Sequence, residues 1–338
     1  MIYLSAQPEL DRHDTGPGHP EHPGRVPAAL NGLREAGLSE AIVEVPARAA
    51  TREELELVHH SAYLDRLEQF CRSGGGHLCP DTVAGPGSWE TALRAVGGTL
   101  AAVEALDKAG EGFAFVAQRP PGHHATAERA MGFCLLNAVA VAAAYLASRG
   151  ERALVLDWDV HHGNGTEAIF WEDSRVLYVS SHQSPLYPGT GPVNATGGAA
   201  APGLNINLPV PPGATGDVLL EAYEEVAGPV IRGFAPTWVL VSCGFDGHRA
   251  DPLADLALSA GDYAELAKWA AGLPPAPGRL VIVMEGGYDL GAVSMSSGAM
   301  FSALLGGRYR PEAPTSGGPG REVVTAAKRA RAAAGLAV

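Results

Sequence analysis

Cysteine is scarce in this chain: there are four, Cys71, Cys79, Cys134 and Cys243, and no two form a CxxC pair. The interval from Cys71 to Cys79 crosses a glycine-rich loop, so neither a disulfide framework nor a thiolate zinc site is expected. Long apolar runs are missing too. The stretch Ala138 to Leu146 is too short to cross a bilayer and reads as a buried helix. The opening residues, MIYLSAQPELDRH, carry no cationic region followed by an apolar one. The expectation is a reducing, cytoplasmic location with no membrane partner. No block of basic residues appears before the last stretch, and 24 Lys and Arg stand against 37 Asp and Glu, a formal net charge of -13. Such a surface repels phosphate backbones, which argues against nucleic acid as a partner. It draws in cations instead, including lysine-bearing or polyamine-bearing substrates.

Hydrophobic residues make up 46% of the 338 residues and charged ones 18%, enough apolar surface for one large packed domain. β-Branched or aliphatic runs recur at 113–122, 153–163, 176–182, 238–248 and 280–290, each ending in polar or glycine-rich residues. Continuous runs of this kind are strands buried on both faces of a parallel sheet. Alanine-rich amphipathic segments at 88–108, 134–148, 217–233 and 259–271 read as helices. The alternation predicts an α/β domain with a mostly parallel central sheet and helices on both faces. In such sheets ligands bind beyond the carboxyl ends of the strands, and here His, Asp and Tyr gather in those places. Loops at 16–27, 73–88 and 184–203, rich in Gly and Pro, are predicted to wall the site. From about Gly306 the chain becomes Pro/Gly-rich and then AAKRARAAAGLAV. The expected division is a catalytic domain over 1–305 and a tail over 306–338, a packed surface helix or a frayed end without a catalytic role.

The chemistry concentrates in four segments. In DWDVHHGNG, a strand continued past Asp157 would put Asp157, Asp159 and His161 on one side. Two carboxylates and an imidazole begin a divalent-metal site, and Asp246 in SCGFDGH, after another apolar run, adds a further ligand. Three protein ligands leave a position for water, the mark of a catalytic metal. A lone DxD at a strand end is more often a solvated loop, but the HHGNG that follows speaks against that. Asp157 is then left to hold a neighbouring histidine or another cation. RPPGHH supplies adjacent histidines, His123 and His124, which distinct polar partners can tune separately. EGGYDL ends the last strand run in Gly286, Gly287 and Tyr288; glycines admit a ligand close to the backbone, and a phenol can donate to an oxyanion.

Together, RPPGHH, DWDVHHGNGT, the GFD strand end and EGGYDL resemble the histone deacetylase-like superfamily, which includes acetylpolyamine amidohydrolases and acetoin-utilisation-type proteins. The resemblance runs from about His19 to Leu290 and implies an arginase/deacetylase-type fold that removes an acyl group from an amine. It implies Asp159, His161 and Asp246 as zinc ligands, with iron(II) the alternative in the cell, and Tyr288 as the carbonyl-polarising phenol. His123 and His124 match the tandem histidines, with His124 as general base and acid and Asp157 as the partner of His123. A structural potassium ion is implied beside Asp157, Asp159, His161, Ser180 and Ser181. Asn164 stands where some members have Asp, which weakens the negative partner of the second histidine and, like EGGYDL, resembles the class II branch. Phe133 and Tyr187 fall where the family's channel walls stand, beside Gly132, with Asp81 as the rim carboxylate. Leu253 occupies a position where a polyamine-specific relative carries glutamate, which argues against selective polyamine recognition.

The reaction that follows is metal-assisted hydrolysis of an N-acyl amide on a protein lysine or a small amine. A binding module without turnover is disfavoured because Tyr288, His123 and His124 are all present. An arginase-like two-metal site would need further Asp/His ligands to bridge a second metal, and this sequence offers none beyond Asp157.

Overall fold

A computed structural model describes residues 1–7 and 9–336. Among the described residues, eight parallel strands form the central sheet: β1 (Ile2–Ala6), β2 (Ile42–Glu44), β5 (Phe113–Ala117), β6 (Ala153–Asp157), β7 (Val176–Gln183), β8 (Asn205–Val210), β9 (Trp238–Cys243) and β10 (Leu280–Met284). A separate antiparallel hairpin joins β3 (Gly76–Cys79) to β4 (Thr82–Ala84). The order across the large sheet is β2-β1-β5-β10-β9-β6-β7-β8. The chain therefore runs outward from β6 to β8 and returns through β9 and β10 to close against β5. The ends of these four central strands, β5, β10, β9 and β6, carry the motif residues.

Strand alternation divides the core into two layers. Leu154 and Leu156 of β6, Val239 and Val241 of β9, and Ile282 and Met284 of β10 pack on one face. Ala153 and Val155, Trp238 and Leu240, and Val281 and Val283 pack on the other. Each fully buried aliphatic side chain is worth about 1.5–3 kcal/mol, so a sheet covered on both sides supplies the main driving force. Helices Ser61–Arg72, Ser88–Ala109 and Ala138–Ser148 cover the second face; Arg25–Glu35, Gly216–Ala222, Ala260–Ala271 and Leu290–Leu304 cover the first.

Local signals set the helix ends. Asn137 caps Ala138–Ser148 by accepting the Ala140 N–H, which starts that helix four residues later than the apolar pattern predicts. Gly110, at φ 66°, ends Ser88–Ala109 in the left-handed conformation that glycine adopts without cost. The helix expected over 217–233 is interrupted: a π-type turn, Tyr223–Ala227, separates Gly216–Ala222 from Gly228–Phe234. Four of the strands, β5, β6, β9 and β10, are shorter than the apolar runs that predict them, and β7 extends one residue beyond its run. β6 stops at Asp157, so Asp159 and His161 belong to the following loop and their facing comes from loop geometry rather than strand alternation.

Beyond residue 306 the chain runs back over the domain. Helix Glu322–Ala333 packs on β8, with Val323 and Ala327 in the core. Among the described residues no helix is long and apolar enough to cross a membrane.

Candidate metal centre and active site

The loop after β6 turns back on itself through its own aspartates. The Asp157 carboxylate accepts the Asp159 N–H at 3.2 Å, and Asp159 accepts the His161 N–H at 2.9 Å. Asp246, in the loop after β9, accepts the Val160 N–H at 3.0 Å and so locks the two loops together. The Gly286 N–H, just past β10, donates to Asp159 at 2.8 Å. These bonds bring Asp159, His161 and Asp246 into a buried group whose ligand atoms lie within 4.8 Å of one another.

The donor set fits a divalent cation. His161 Nδ1 lies 3.1 Å from Asp159 Oδ1 and 3.3 Å from Asp246 Oδ2, and the buried Asp246 Oδ2 has no well-aligned hydrogen bond, His161 being the one donor near it among the described residues. A buried orphan carboxylate oxygen costs about 1–3 kcal/mol or more unless a cation meets it. Burial and the Asp159 charge push the Asp246 pKa up. Burial alone lowers that of His161, but hydrogen bonds to Asp159 and Asp246 and their charges raise it to about 10. The two carboxylates thus demand positive charge between them. Space is reserved for it as well: a Cβ at Gly286 would collide with Asp246 and Asp159, and one at Gly244 with the same two carboxylates.

The tandem histidines enter on the loop after β5. His123 Nδ1 is 3.1 Å from Asp157 Oδ2, which also accepts from the Tyr178 hydroxyl at 3.0 Å. His124 Nδ1 is 2.8 Å from Asn164 Oδ1. The two rings lie 4.1 Å apart between centroids, yet their environments differ. Burial lowers the His123 pKa, and the charges of Asp159 and Asp157 override it, raising it to about 10. His124 is pushed well below its ordinary value by burial, then by the neighbouring His123 and His161. The adjacent histidines are thus pushed in opposite directions, His123 towards holding a proton and His124 towards losing one.

Above them opens a cavity of about 230 Å³ lined by Asp81, His124, Gly132, Phe133, His161, Leu186, Tyr187, Leu253 and Tyr288. Tyr187 meets His124 edge to face at 5.2 Å, and Phe133 meets Tyr288 in the same manner at 5.9 Å. Phe133 has φ 67°, a left-handed conformation costing a side chain about 1–2 kcal/mol, and Gly132 precedes it because a Cβ there would strike His124. At the mouth, Asp81 accepts from Thr82 Oγ1 at 2.6 Å and from the Gly132 N–H at 3.2 Å. Burial holds the Tyr288 pKa well above its usual value, so its phenol keeps its proton.

Against this geometry, similarity to known proteins is specific. Residues 19–304 match the histone deacetylase domain model. The chain belongs to the histone deacetylase family. It is 39% identical over 305 residues to a probable deacetylase of Archaeoglobus fulgidus, covering 88% of this chain and 84% of that one. It is 36% identical to a histone deacetylase-like amidohydrolase of Pseudomonas aeruginosa, over 86% and 78% of the two chains. The solved HDA15 HD domain superposes with a TM-score of 0.89 at 31% identity, covering 97% of this chain and 95% of that domain. The histone deacetylase fold and a deacetylase or amidohydrolase lineage follow from these matches.

The structure brings together most of the residues singled out from sequence. Gly287, at φ 116°, lies behind the cavity and offers its carbonyl to Arg25 Nε at 2.7 Å. Ser180 and Ser181 sit on β7 beside Asp157, with hydroxyls near His182 Nδ1 at 3.0 Å and the Tyr223 hydroxyl at 2.5 Å. Other residues were missed. Glu285 is fully buried, and its carboxylate accepts the N–H groups of Gly122 at 2.5 Å and His123 at 3.2 Å, tying the histidine loop to the tyrosine loop. Arg25 lies over the Tyr288 ring at 4.9 Å and is paired with the buried Glu21, which also binds Arg119. Asp251 accepts the Tyr288 N–H at 2.7 Å. One sequence signal was available: Glu285 ends an unbroken apolar run, LVIVM, where an uncompensated carboxylate is costly.

Proposed function

We propose that this chain hydrolyses an N-acyl amide, most simply an N-acetyl amide, on a lysine-like amine, with one zinc ion held by Asp159, His161 and Asp246. The observation that carries the reading is convergence. A neutral histidine, a protonated tyrosine and the Asp-His-Asp group meet at one narrow cavity with aromatic walls. Zinc bound there supplies a Lewis acid that polarises a carbonyl and acidifies water; iron(II) suits the same donors.

The chain's own residues do the rest. Asn164 accepts from His124 Nδ1–H, which leaves Nε2 as the free base. His124 takes a proton from the attacking water and later gives it to the departing amine. His123, a cation beside Asp157, contributes positive charge under the developing oxyanion. Tyr288 donates its phenolic hydrogen to that oxyanion. Phe133 and Tyr187 grip an aliphatic linker, with Leu253 and Gly132 completing the wall and Asp81 the rim. A structural potassium ion is proposed beside Asp157, Asp159, His161, Ser180 and Ser181.

A second reading, deacylation of a small amine, is favoured by one observation. Asp81 Oδ1 already accepts from Thr82 Oγ1, Cys79 Sγ and the Gly132 N–H, so a peptide backbone must compete for it. Competition between an acetyl-lysine peptide and acetylated small amines, with zinc-loaded protein and a hydroxamate chelator as control, separates the two. Preference for the small amine displaces the protein substrate. Full zinc occupancy with no hydrolysis of any acyl-amine leaves a binding module instead.

A further inference from the structure

The sequence gives the segment after residue 305 no catalytic role, and the family match ends at residue 304. The structure ties that segment to the active site through three consecutive links. Glu312 is the first. Its Oε2 lies 2.8 Å from His248 Nε2 and accepts the Ala260 N–H at 2.9 Å, and its Oε1 pairs with Arg249. His248 is the second. It is 2% exposed; its Nδ1 accepts the Ala250 N–H at 3.1 Å, which leaves Nε2 to carry the hydrogen toward Glu312. Its carbonyl accepts the Asp251 N–H at 2.8 Å. Asp251 is the third, accepting the N–H groups of Leu253 at 3.0 Å, Tyr288 at 2.7 Å and Asp289 at 3.4 Å.

The loop held in this way carries Asp246 at one end and Leu253 of the cavity wall at the other. Nearby bonds fix the segment itself: Ser259 Oγ donates to the Ala313 carbonyl at 2.7 Å, and Thr315 Oγ1 donates to Asp262 at 2.8 Å. Glu312 therefore braces the loop from the C-terminal segment, beside the backbone bridge that ties His248 and Arg249 to Leu258.

We propose that Glu312 is a positioning residue for the reaction, setting the place of Tyr288 through His248 and Asp251, so that the C-terminal segment is part of the active-site architecture. The inference rests on the proposed function only in taking Tyr288 as the working phenol. A near-attack geometry is sensitive to shifts of an ångström or less, so Glu312→Ala lowers kcat about 10- to 100-fold, with KM changing less. In a Tyr288→Phe background the same change adds little, because the group it positions is already gone.

The test has two arms. Steady-state kinetics of Glu312→Ala, Tyr288→Phe and the double variant form a cycle, and amide hydrogen exchange at Tyr288 and Asp289 is read without substrate. Expected are a non-additive loss in kcat and faster exchange at those two amides. Arg321→Ala is the control, since it cuts a different anchor of the same segment, to Asp217 and Glu221, and leaves kcat and both amides unchanged. Should Glu312→Ala fail to fold, Glu312→Gln keeps one carbonyl acceptor and carries the same test at smaller amplitude. Unchanged kcat and exchange in a folded Glu312 variant overturn the proposal, as do losses that multiply fully in the double variant. If wild-type protein hydrolyses nothing but exchange responds, the proposed function fails and the brace stands.

Discussion

The two ends of the central sheet make opposite use of their space. At the strand starts, around Arg152, Thr237 and Leu204, lie two clefts of about 510 and 490 Å³. At the strand ends the cavity is only about 230 Å³. The larger clefts hold apolar and exposed polar residues, and Arg152 there is satisfied by the carbonyls of Phe234 and Ala235. The small cavity sits over three buried carboxylates, three histidines and a phenol. Volume follows surface irregularity, whereas chemistry follows from charge that the fold has taken out of water at a cost of several kcal/mol per ion. Backbone N–H groups and paired histidines offset part of that cost, and a bound cation would offset more.

Breaking the small end should be far more damaging than breaking the large one. Gly286→Ala drives a methyl group into Asp246 and Asp159, so it is expected to lose the metal and bring hydrolysis below detection. Metal analysis of the purified variant checks this. Tyr288→Phe should fold and keep its metal while kcat falls about 100- to 1,000-fold, the usual loss for one oxyanion donor. Equal activity in that variant removes the assigned role.

Glu285→Gln sharpens the comparison through pH. Burial pushes the Glu285 pKa up to about 7, against an unfolded value near 4.5. A raised carboxyl contributes its full stability below about pH 4.5, and that contribution is lost as pH rises through 7. Wild type should therefore lose on the order of 3 kcal/mol relative to Glu285→Gln across that window. Denaturant titrations at pH 4.5 and 7.5 measure the difference, and parallel curves contradict it. At the other end, Arg152→Ala should leave kcat within about twofold and cost about 0.5–1.5 kcal/mol for each carbonyl bond lost.

The same division explains what the sequence could reveal. β5, β6, β9 and β10 lie within the apolar runs, and β7 overruns its own by one residue, because strands buried on both faces are mostly apolar. β8, with the sequence NINLPV, escapes that logic. Asn205 and Asn207 face Glu167, which accepts from both side-chain amides, so polar alternation hides a buried strand. The metal group and the tandem histidines were legible because their residue types and order are chemically specific. Their register was not: Asp159 and His161 face one another through loop hydrogen bonds to Asp157 and Asp246 rather than through an extended strand. Asp251, Glu21 and Arg25 were illegible for a different reason, and of Glu285 only its place at the end of an apolar run was visible, not its partner. Each acts through a partner distant in sequence, such as the 163 residues between Glu285 and Gly122, and no local pattern marks such a pair.

The central claim is that one metal, a neutral histidine and a phenol act together on an acyl-amide at the narrow end of the sheet. It is tested most directly by loading the purified protein with zinc, measuring metal content, and following release of acetate from an acetyl-lysine peptide and from acetylated small amines. The account predicts one zinc per chain and hydrolysis that a hydroxamate chelator abolishes. Two equivalents of transition metal per chain, or full zinc occupancy without hydrolysis of any acyl-amine, would contradict it.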